Sequence, residues 1–201
     1  MNAKNILVEG LKTLQIDVPY EPLLEYVNLL NKWNRAYNLT AIRDVEEMIT
    51  LHLLDSLAVL PWVKGHRVVD VGTGAGLPGI PLAIANPSLQ VVLLDSNGKK
   101  TRFLQEAKRV LGLSQIEITQ TRVEAYRPSQ GFDTVVSRAF SDLTDFINKT
   151  DHLLNQGGIF LAMKGKYPEV ELNKLAQPHQ VMSYHVPDVE GERCCVIIEK
   201  D

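Results

Sequence analysis

Residues 68–82 read Val-Val-Asp-Val-Gly-Thr-Gly-Ala-Gly-Leu-Pro-Gly-Ile-Pro-Leu: a buried strand, a glycine hairpin and a helix start in succession. Val68, Val69 and Val71 form a short apolar run suited to a strand covered on both faces. Gly72, Gly74 and Gly76 then allow backbone angles that a Cβ forbids, so a ligand can approach the main chain closely. Pro78 and Pro81 suit the first turn of a helix, where a missing N–H costs little, and Leu82, Ala83, Ile84 and Ala85 continue it. The stretch predicts a nucleotide cradle with the amino end of a helix directed at the ligand.

Two ligand readings of this loop imply different chemistry. Gly74, Gly76 and Gly79 fit G-x-G-x-x-G, the dinucleotide fingerprint, which seats a pyrophosphate at a helix N-terminus. Asp70, directly before the loop, tips the balance, because a carboxylate there repels pyrophosphate and attracts the ammonium and sulfonium cations of S-adenosylmethionine. A second strand, Val91-Val92-Leu93-Leu94, ends in Asp95, placed to accept hydrogen bonds from two ribose hydroxyls. Both cofactor types offer those hydroxyls, so Asp95 supports a nucleoside without choosing between them. A glycine turn with no ligand is the remaining reading, disfavoured by strand, loop, helix and acidic strand end in register.

Outward from this stretch, periodicity and punctuation organise the chain. Strands at 68–71, 91–94, 116–119, 134–137 and 159–163 alternate with helices at 78–85, 98–111 and 142–154, which predicts a parallel sheet wrapped by helices. Gly157-Gly158 is expected to end the last helix, and runs 181–186 and 194–199 to form a terminal antiparallel pair. Before the sheet, Leu23, Tyr26, Val27, Leu30 and Trp33 stand at helical spacing, followed by a loop at 34–40. Asp44 and Glu47 suit a capping box for a helix running to Leu60. The expected organisation is a helical extension, residues 1–64, on a core of residues 65–201.

With 201 residues, 45% of them hydrophobic, the chain can bury one substantial core. No apolar run approaches the ~20 residues that span a bilayer, and Met1-Asn2-Ala3-Lys4 lacks the regions of a signal peptide, so a cytoplasmic protein is expected. Cys194 and Cys195 are adjacent in a strand-like run and point to opposite faces, which argues against a disulfide or a metal site. The net charge of −3 conceals a local patch: Lys99, Lys100, Arg102, Lys108, Arg109, Arg122 and Arg127 against Glu106, Glu117 and Glu124. Lys99, Arg102 and Arg109 share one helix face, read either as solvated or as a phosphate-binding surface.

Several motifs together resemble the bacterial ribosomal small subunit methyltransferase G family, formerly called glucose-inhibited division protein B. They are Trp33-Asn34 with Tyr37-Asn38-Leu39-Thr40, His52-x-x-Asp55-Ser56, Asp70–Pro81, Leu94-Asp95-Ser96, Ser137-Arg138-Ala139-Phe140, Lys164-Gly165 and Gly191-Glu192-Arg193. The likeness spans nearly the whole chain. It implies a class I Rossmann-like fold and transfer of a methyl group from S-adenosylmethionine to N7 of one guanosine in 16S rRNA. The product cofactor would be S-adenosylhomocysteine, and the partner 16S rRNA or a small-subunit particle, with no stable protein partner. Carried over residue by residue, it implies cofactor contacts at Gly72, Leu77, Val123, Glu124 and Arg138, beside the Asp70, Gly74, Gly76 and Asp95 of the cradle.

Local chemistry leaves alternatives at several of these positions. Main chain at Val123-Glu124 suits an adenine edge with Val123 over a ring face, while Glu124 equally suits a cap or ion pair. Arg138, at a strand's carboxyl end, suits a carboxylate, an RNA phosphate or a structural pair with an aspartate. Guanine N7 carries an in-plane lone pair, so no general base is expected and no catalytic acid or base is assigned. His52 and Asp55, three apart on a helix, read as a local hydrogen-bonding pair rather than a metal site. Trp33 reads as core, with Asn34, Tyr37 and Asn38 as RNA contacts, and Lys164 and Lys166 are RNA candidates after the fifth parallel strand. Against the RNA methyltransferase stand a small-molecule methyltransferase, a nicotinamide-dependent oxidoreductase and a non-catalytic nucleotide-binding, RNA-associated module.

Overall fold

The computed structural model describes residues 2–140 and 142–200. A seven-stranded sheet in the order β3-β2-β1-β4-β5-β7-β6 forms its centre. The strands are β1 Arg67–Val71, β2 Gln90–Asp95, β3 Ile116–Gln120, β4 Phe132–Ser137, β5 Leu154–Lys164, β6 His179–Tyr184 and β7 Arg193–Glu199. β1 to β5 run parallel, and β7 lies antiparallel between β5 and β6. The strand order reverses between β1 and β4, the place where open α/β sheets bind ligands beyond their carboxyl ends.

The two faces of each strand feed two cores. Val69 and Val71 of β1 pack with Val92 and Leu94 of β2 against α7 (Leu143–Thr150) and α8 (Glu169–Leu172). Val68, Val91 and Leu93 face the other way, onto α5 (Gly79–Ala85) and α6 (Gly98–Leu111). That second core continues into α1 (Ala3–Thr13) and α2 (Tyr20–Tyr37), whose Leu7, Leu23, Tyr26 and Leu30 are fully buried. The Tyr26 hydroxyl donates to the Ala75 carbonyl at 2.7 Å, so α2 holds the glycine loop from behind.

Three local expectations are corrected. Gly157 and Gly158 lie inside β5 rather than ending a helix; the Phe132↔Leu154 and Thr134↔Ile159 pairs skip residues there, and a bulge with Gly157 at φ 70° absorbs them. α2 continues through the expected loop to Tyr37 and stops at Asn38, whose φ of 50° puts it in the left-handed region. The helix from Asp44 is not uniform: α3 (Val45–Met48) and α4 (Asp55–Leu57) flank a π-helical turn, Ile49–Leu54. Asp44 caps it by accepting from the Glu46 and Glu47 amides.

Candidate active site

The glycine loop is fastened at both ends. Gly72 and Thr73 donate their amides to the Leu94 carbonyl, and Gly74 donates to Asp95 Oδ2 at 2.9 Å. The glycines answer to different demands. A Cβ on Gly72, φ +68°, would come within 2.8 Å of the Ala139 Cβ, whereas one on Gly74, φ +62°, would meet no atom closer than 3.9 Å. Gly74 therefore presents bare backbone to open space, the feature a closely approaching ligand needs.

Asp70 is not on that open surface. It lies fully buried on the α5 side of β1, where Oδ2 accepts from Thr73 Oγ1 at 2.6 Å and from the Gly79 amide at 2.8 Å. The amino end of α5 is thus aimed at Asp70 itself. Oδ1 is buried with no donor among the described residues, and burial pushes the carboxyl up to about 6 against the pull of its two hydrogen bonds. A charge held there acts on the loop through its field rather than by touching the cleft.

Asp95 does reach the cleft. Both carboxylate oxygens already accept from amides, Oδ2 from Gly74 and Oδ1 from Asn97 at 2.8 Å, which orients the carboxylate and leaves each oxygen a second lone pair. The surrounding cavity, about 270 Å³, is walled by Gly72, Asp95, Ser96, Val123, Glu124 and Phe140, with Lys149 of α7 at its rim. Val123 and Glu124 sit in a short 3₁₀ turn, Val123–Ala125, that brings their main chain to this wall. Ser96, Phe140 and Lys149 carried no role in the sequence reading; Ser96 and Phe140 stand inside quoted motifs, while nothing local marks Lys149.

A second cavity of about 180 Å³ shares Gly72 and Ala139 with the first and runs along Thr73, Gly74, Ala75 and Leu77 to His52 and Arg138. Arg138 is fixed from several sides. Its guanidinium donates to Asp55 Oδ2 at 3.1 Å and to the Leu51 carbonyl at 3.2 Å, and Asp55 Oδ1 accepts from the Tyr184 hydroxyl at 3.1 Å. The ion pair with an aspartate, one of three roles open to Arg138, is present, and the side chain still forms cavity wall. The π-helical turn supplies the Leu51 carbonyl and His52 side by side, an irregularity frequent at functional sites. His52 Nε2 lies 2.8 Å from Thr40 Oγ1. Burial and the neighbouring Arg138 charge push this imidazole down to about 4, so it is neutral near pH 7.

The basic residues divide. Lys99 and Arg102 are exposed on α6, but Lys100 turns to the cleft, 3.6 Å from Asp95 Oδ2 and beside Gly74. Arg109 is exposed yet paired through Nε and Nη2 with Glu106 at 2.8 and 2.9 Å. Lys164, expected as an RNA contact, has a side chain that is 9% exposed and pairs with Glu171 at 2.7 Å. Lys166 is exposed. Asn34 is buried, its amide bridging Thr40 and Ile42, which makes it a clamp on the loop rather than a surface contact. Trp33 stacks on Tyr37 at 5.2 Å and packs against Phe103.

The family model described as rRNA small subunit methyltransferase G matches residues 20–195. The chain belongs to this family. The Ribosomal RNA small subunit methyltransferase G of Legionella pneumophila (strain Corby) is 60% identical over 195 residues, covering 97% of this chain and 94% of the relative. That of Hydrogenovibrio crunogenus is 52% identical over 195 residues, covering 96% and 90%. Among solved structures, the S-adenosylmethionine-dependent methyltransferase SibL matches 97% of this chain and 74% of its own at a TM-score of 0.62 and 16% identity. TrmN from Thermus thermophilus matches 83% and 53% at a TM-score of 0.61 and 21% identity. These two likenesses bear on the fold, and they agree with the expected Rossmann-like methyltransferase architecture. No helix among the described residues is long and apolar enough to cross a membrane.

Proposed function

We propose that this chain transfers the methyl group of S-adenosylmethionine to N7 of a guanine in 16S rRNA, acting in the cytoplasm on the small subunit or its RNA. Family membership supports the reaction, and one observation carries the cofactor: open backbone at Gly74 beside an oriented Asp95 with acceptor capacity to spare. The residues fit that cofactor from end to end. Asp95 accepts from the ribose hydroxyls, and Val123 and Glu124 flank the adenine in the larger cavity. Gly72, Gly74 and Leu77 line the passage to the smaller one, where Arg138 faces the carboxylate of the methionine end, while Gly76 is turned to the core, its Cβ position occupied by Ile80 and Leu104. Asp70, charged above about pH 6 and carrying an unpartnered oxygen, makes this passage attractive to a cation.

When bound, S-adenosylmethionine supplies an activated methyl group. The chain then has to align, not to deprotonate, because the N7 lone pair is available without loss of a proton. Arg138, tied to Asp55 and Leu51, keeps the wall between cofactor and acceptor in one place, which favours the in-line approach of N7 to the methyl group. His52 is neutral and hydrogen-bonded to Thr40, so its part is to hold that wall. The helical extension, residues 1–64, bears on the same centre through Tyr26 at the loop and Asp55 at Arg138. The deciding experiment maps N7-methylguanosine at nucleotide resolution in small-subunit RNA from cells with and without this protein. Loss of one site, restored by purified protein with S-adenosylmethionine, is expected; an unchanged map refutes the proposal.

A further inference from the structure

A third cavity, about 290 Å³, adjoins the methionine end of the cleft across Arg138. It lies beyond the carboxyl ends of β4 and β5, where the β6–β7 hairpin brings Tyr184 and Arg193 back to the same edge of the sheet. Its polar lining is Asp55, Arg138, Lys164, Tyr184 and Arg193, and the Arg193 guanidinium lies over Gly165, 3.4 Å from where a Cβ would stand. None of the cofactor roles proposed above uses Lys164, Gly165, Tyr184 or Arg193.

The charges here do not cancel. Arg138 is matched by Asp55 and Lys164 by Glu171, but among the described residues Arg193 has no carboxylate within ion-pair distance. Both pairs are anchored, so neither anion can swing across to neutralise Arg193 without leaving Arg138 or Lys164 unpaired. Among the described residues the cavity offers no stacking surface for a base: the one aromatic residue that lines it, Tyr184, packs its ring on Trp62 at 5.9 Å and turns its hydroxyl to Asp55. A surplus guanidinium in a polar recess without a ring face selects a phosphate rather than a nucleobase.

The geometry points to a subsite for one phosphodiester of the RNA strand, bound by Arg193 over Gly165, next to the nucleotide that enters the cleft at Arg138. This rests on the proposed RNA methylation and names the side of the cleft from which the strand arrives. Arg193 fixes the strand's register, while the ion-paired Arg138 and Lys164 form polar walls at fixed positions.

The test is the salt dependence of binding to small-subunit RNA and particles for wild type, Arg193→Gln and Arg193→Lys, with S-adenosylmethionine affinity measured by calorimetry on each. Arg193→Gln is expected to bind cofactor as wild type does, to lose roughly fivefold to tenfold in RNA affinity at low salt, and to lower the log–log salt slope by about 0.7–0.9, one phosphate's worth. Arg193→Lys should recover the slope. A readout needing no variant uses RNA with single neutral methylphosphonate linkages on either side of the target guanosine. One linkage should weaken wild-type binding by the same factor and leave Arg193→Gln indifferent. An unchanged slope in Arg193→Gln, a lysine variant no better than glutamine, or no sensitive linkage overturns the subsite. If wild type methylates small-subunit RNA in the same assays, the proposed function stands without it; if wild type neither binds nor methylates that RNA, both fall.

Discussion

Asp70→Asn separates the electrostatic role of the buried carboxylate from its hydrogen bonds. In the fold Asp70 is fully buried and its carboxyl is raised by burial from 3.8 to about 6. A carboxyl whose folded value lies above its unfolded one binds more protons when folded, so its contribution favours folding in acid and is lost as pH rises from about 4 to 6. At about 1.4 kcal/mol per pH unit, that gap amounts to roughly 3 kcal/mol of destabilisation at pH 7. Asparagine keeps an acceptor for Thr73 and Gly79 and removes the charge. Its amide introduces a donor where Oδ1 now stands unpartnered, but that adjustment is the same at every pH. The expected result is therefore a difference in unfolding free energy, variant minus wild type, that increases by about 2.4 kcal/mol between pH 4 and pH 7, the remainder of the effect lying below pH 4. His52, lowered to about 4 and neutral when folded, has the opposite slope, losing stability as pH falls from 6.5 toward 4, and it cancels in the difference. Urea unfolding at half-unit steps from pH 4 to 7.5 measures this directly. A difference constant to within about 0.5 kcal/mol would refute the assignment of a strained buried charge at Asp70.

Gly74→Val should fold with a loss of about 1–2 kcal/mol, the cost of a left-handed conformation, and should bind S-adenosylmethionine at least tenfold more weakly by calorimetry; wild-type affinity in the folded variant removes Gly74 from the site. Arg138→Ala strands Asp55 with only Tyr184, so chemical denaturation should show a loss of about 3 kcal/mol, and NMR titration should show the His52 midpoint move upward once the neighbouring cation is gone. Lys100→Met should change S-adenosylmethionine affinity, while Lys99→Gln with Arg102→Gln should flatten the salt dependence of RNA binding and leave cofactor affinity as it was; the reverse assignment contradicts the placement of Lys100 at Asp95. Single-turnover methyl transfer at saturating RNA and cofactor should vary less than about threefold from pH 6.5 to 8.5, and a tenfold rise per pH unit abolished by one carboxylate or histidine substitution would require a general base.

The sequence by itself determined the elements whose signals are local. Three valines, the spaced glycines and the prolines of residues 68–82 fix strand, loop and helix because backbone sterics and side-chain periodicity act within a few residues. Asp95 was legible for the same reason: it ends a continuous apolar strand, and strand ends in such folds face the ligand. Tertiary structure decided which way the charges point. Period-two alternation puts Asp70 on the face opposite Val69 and Val71, but only the docking of α5 makes that face the interior and hands its carboxylate to Gly79. Lys99 and Lys100 are neighbours in sequence and about 100° apart around a helix, so packing of α6 sends one to solvent and the other to the cleft. Arg138 meets Asp55 across 83 residues, and Lys164 meets a glutamate in a four-residue helix too short to announce itself by periodicity. Gly157-Gly158 misled because a glycine at positive φ serves a helix stop and a strand bulge equally well, and only the register against β4 distinguishes them. Chain-local forces choose the conformation of a segment, whereas the partner of a buried charge is set by whatever the fold brings within a few ångströms of it.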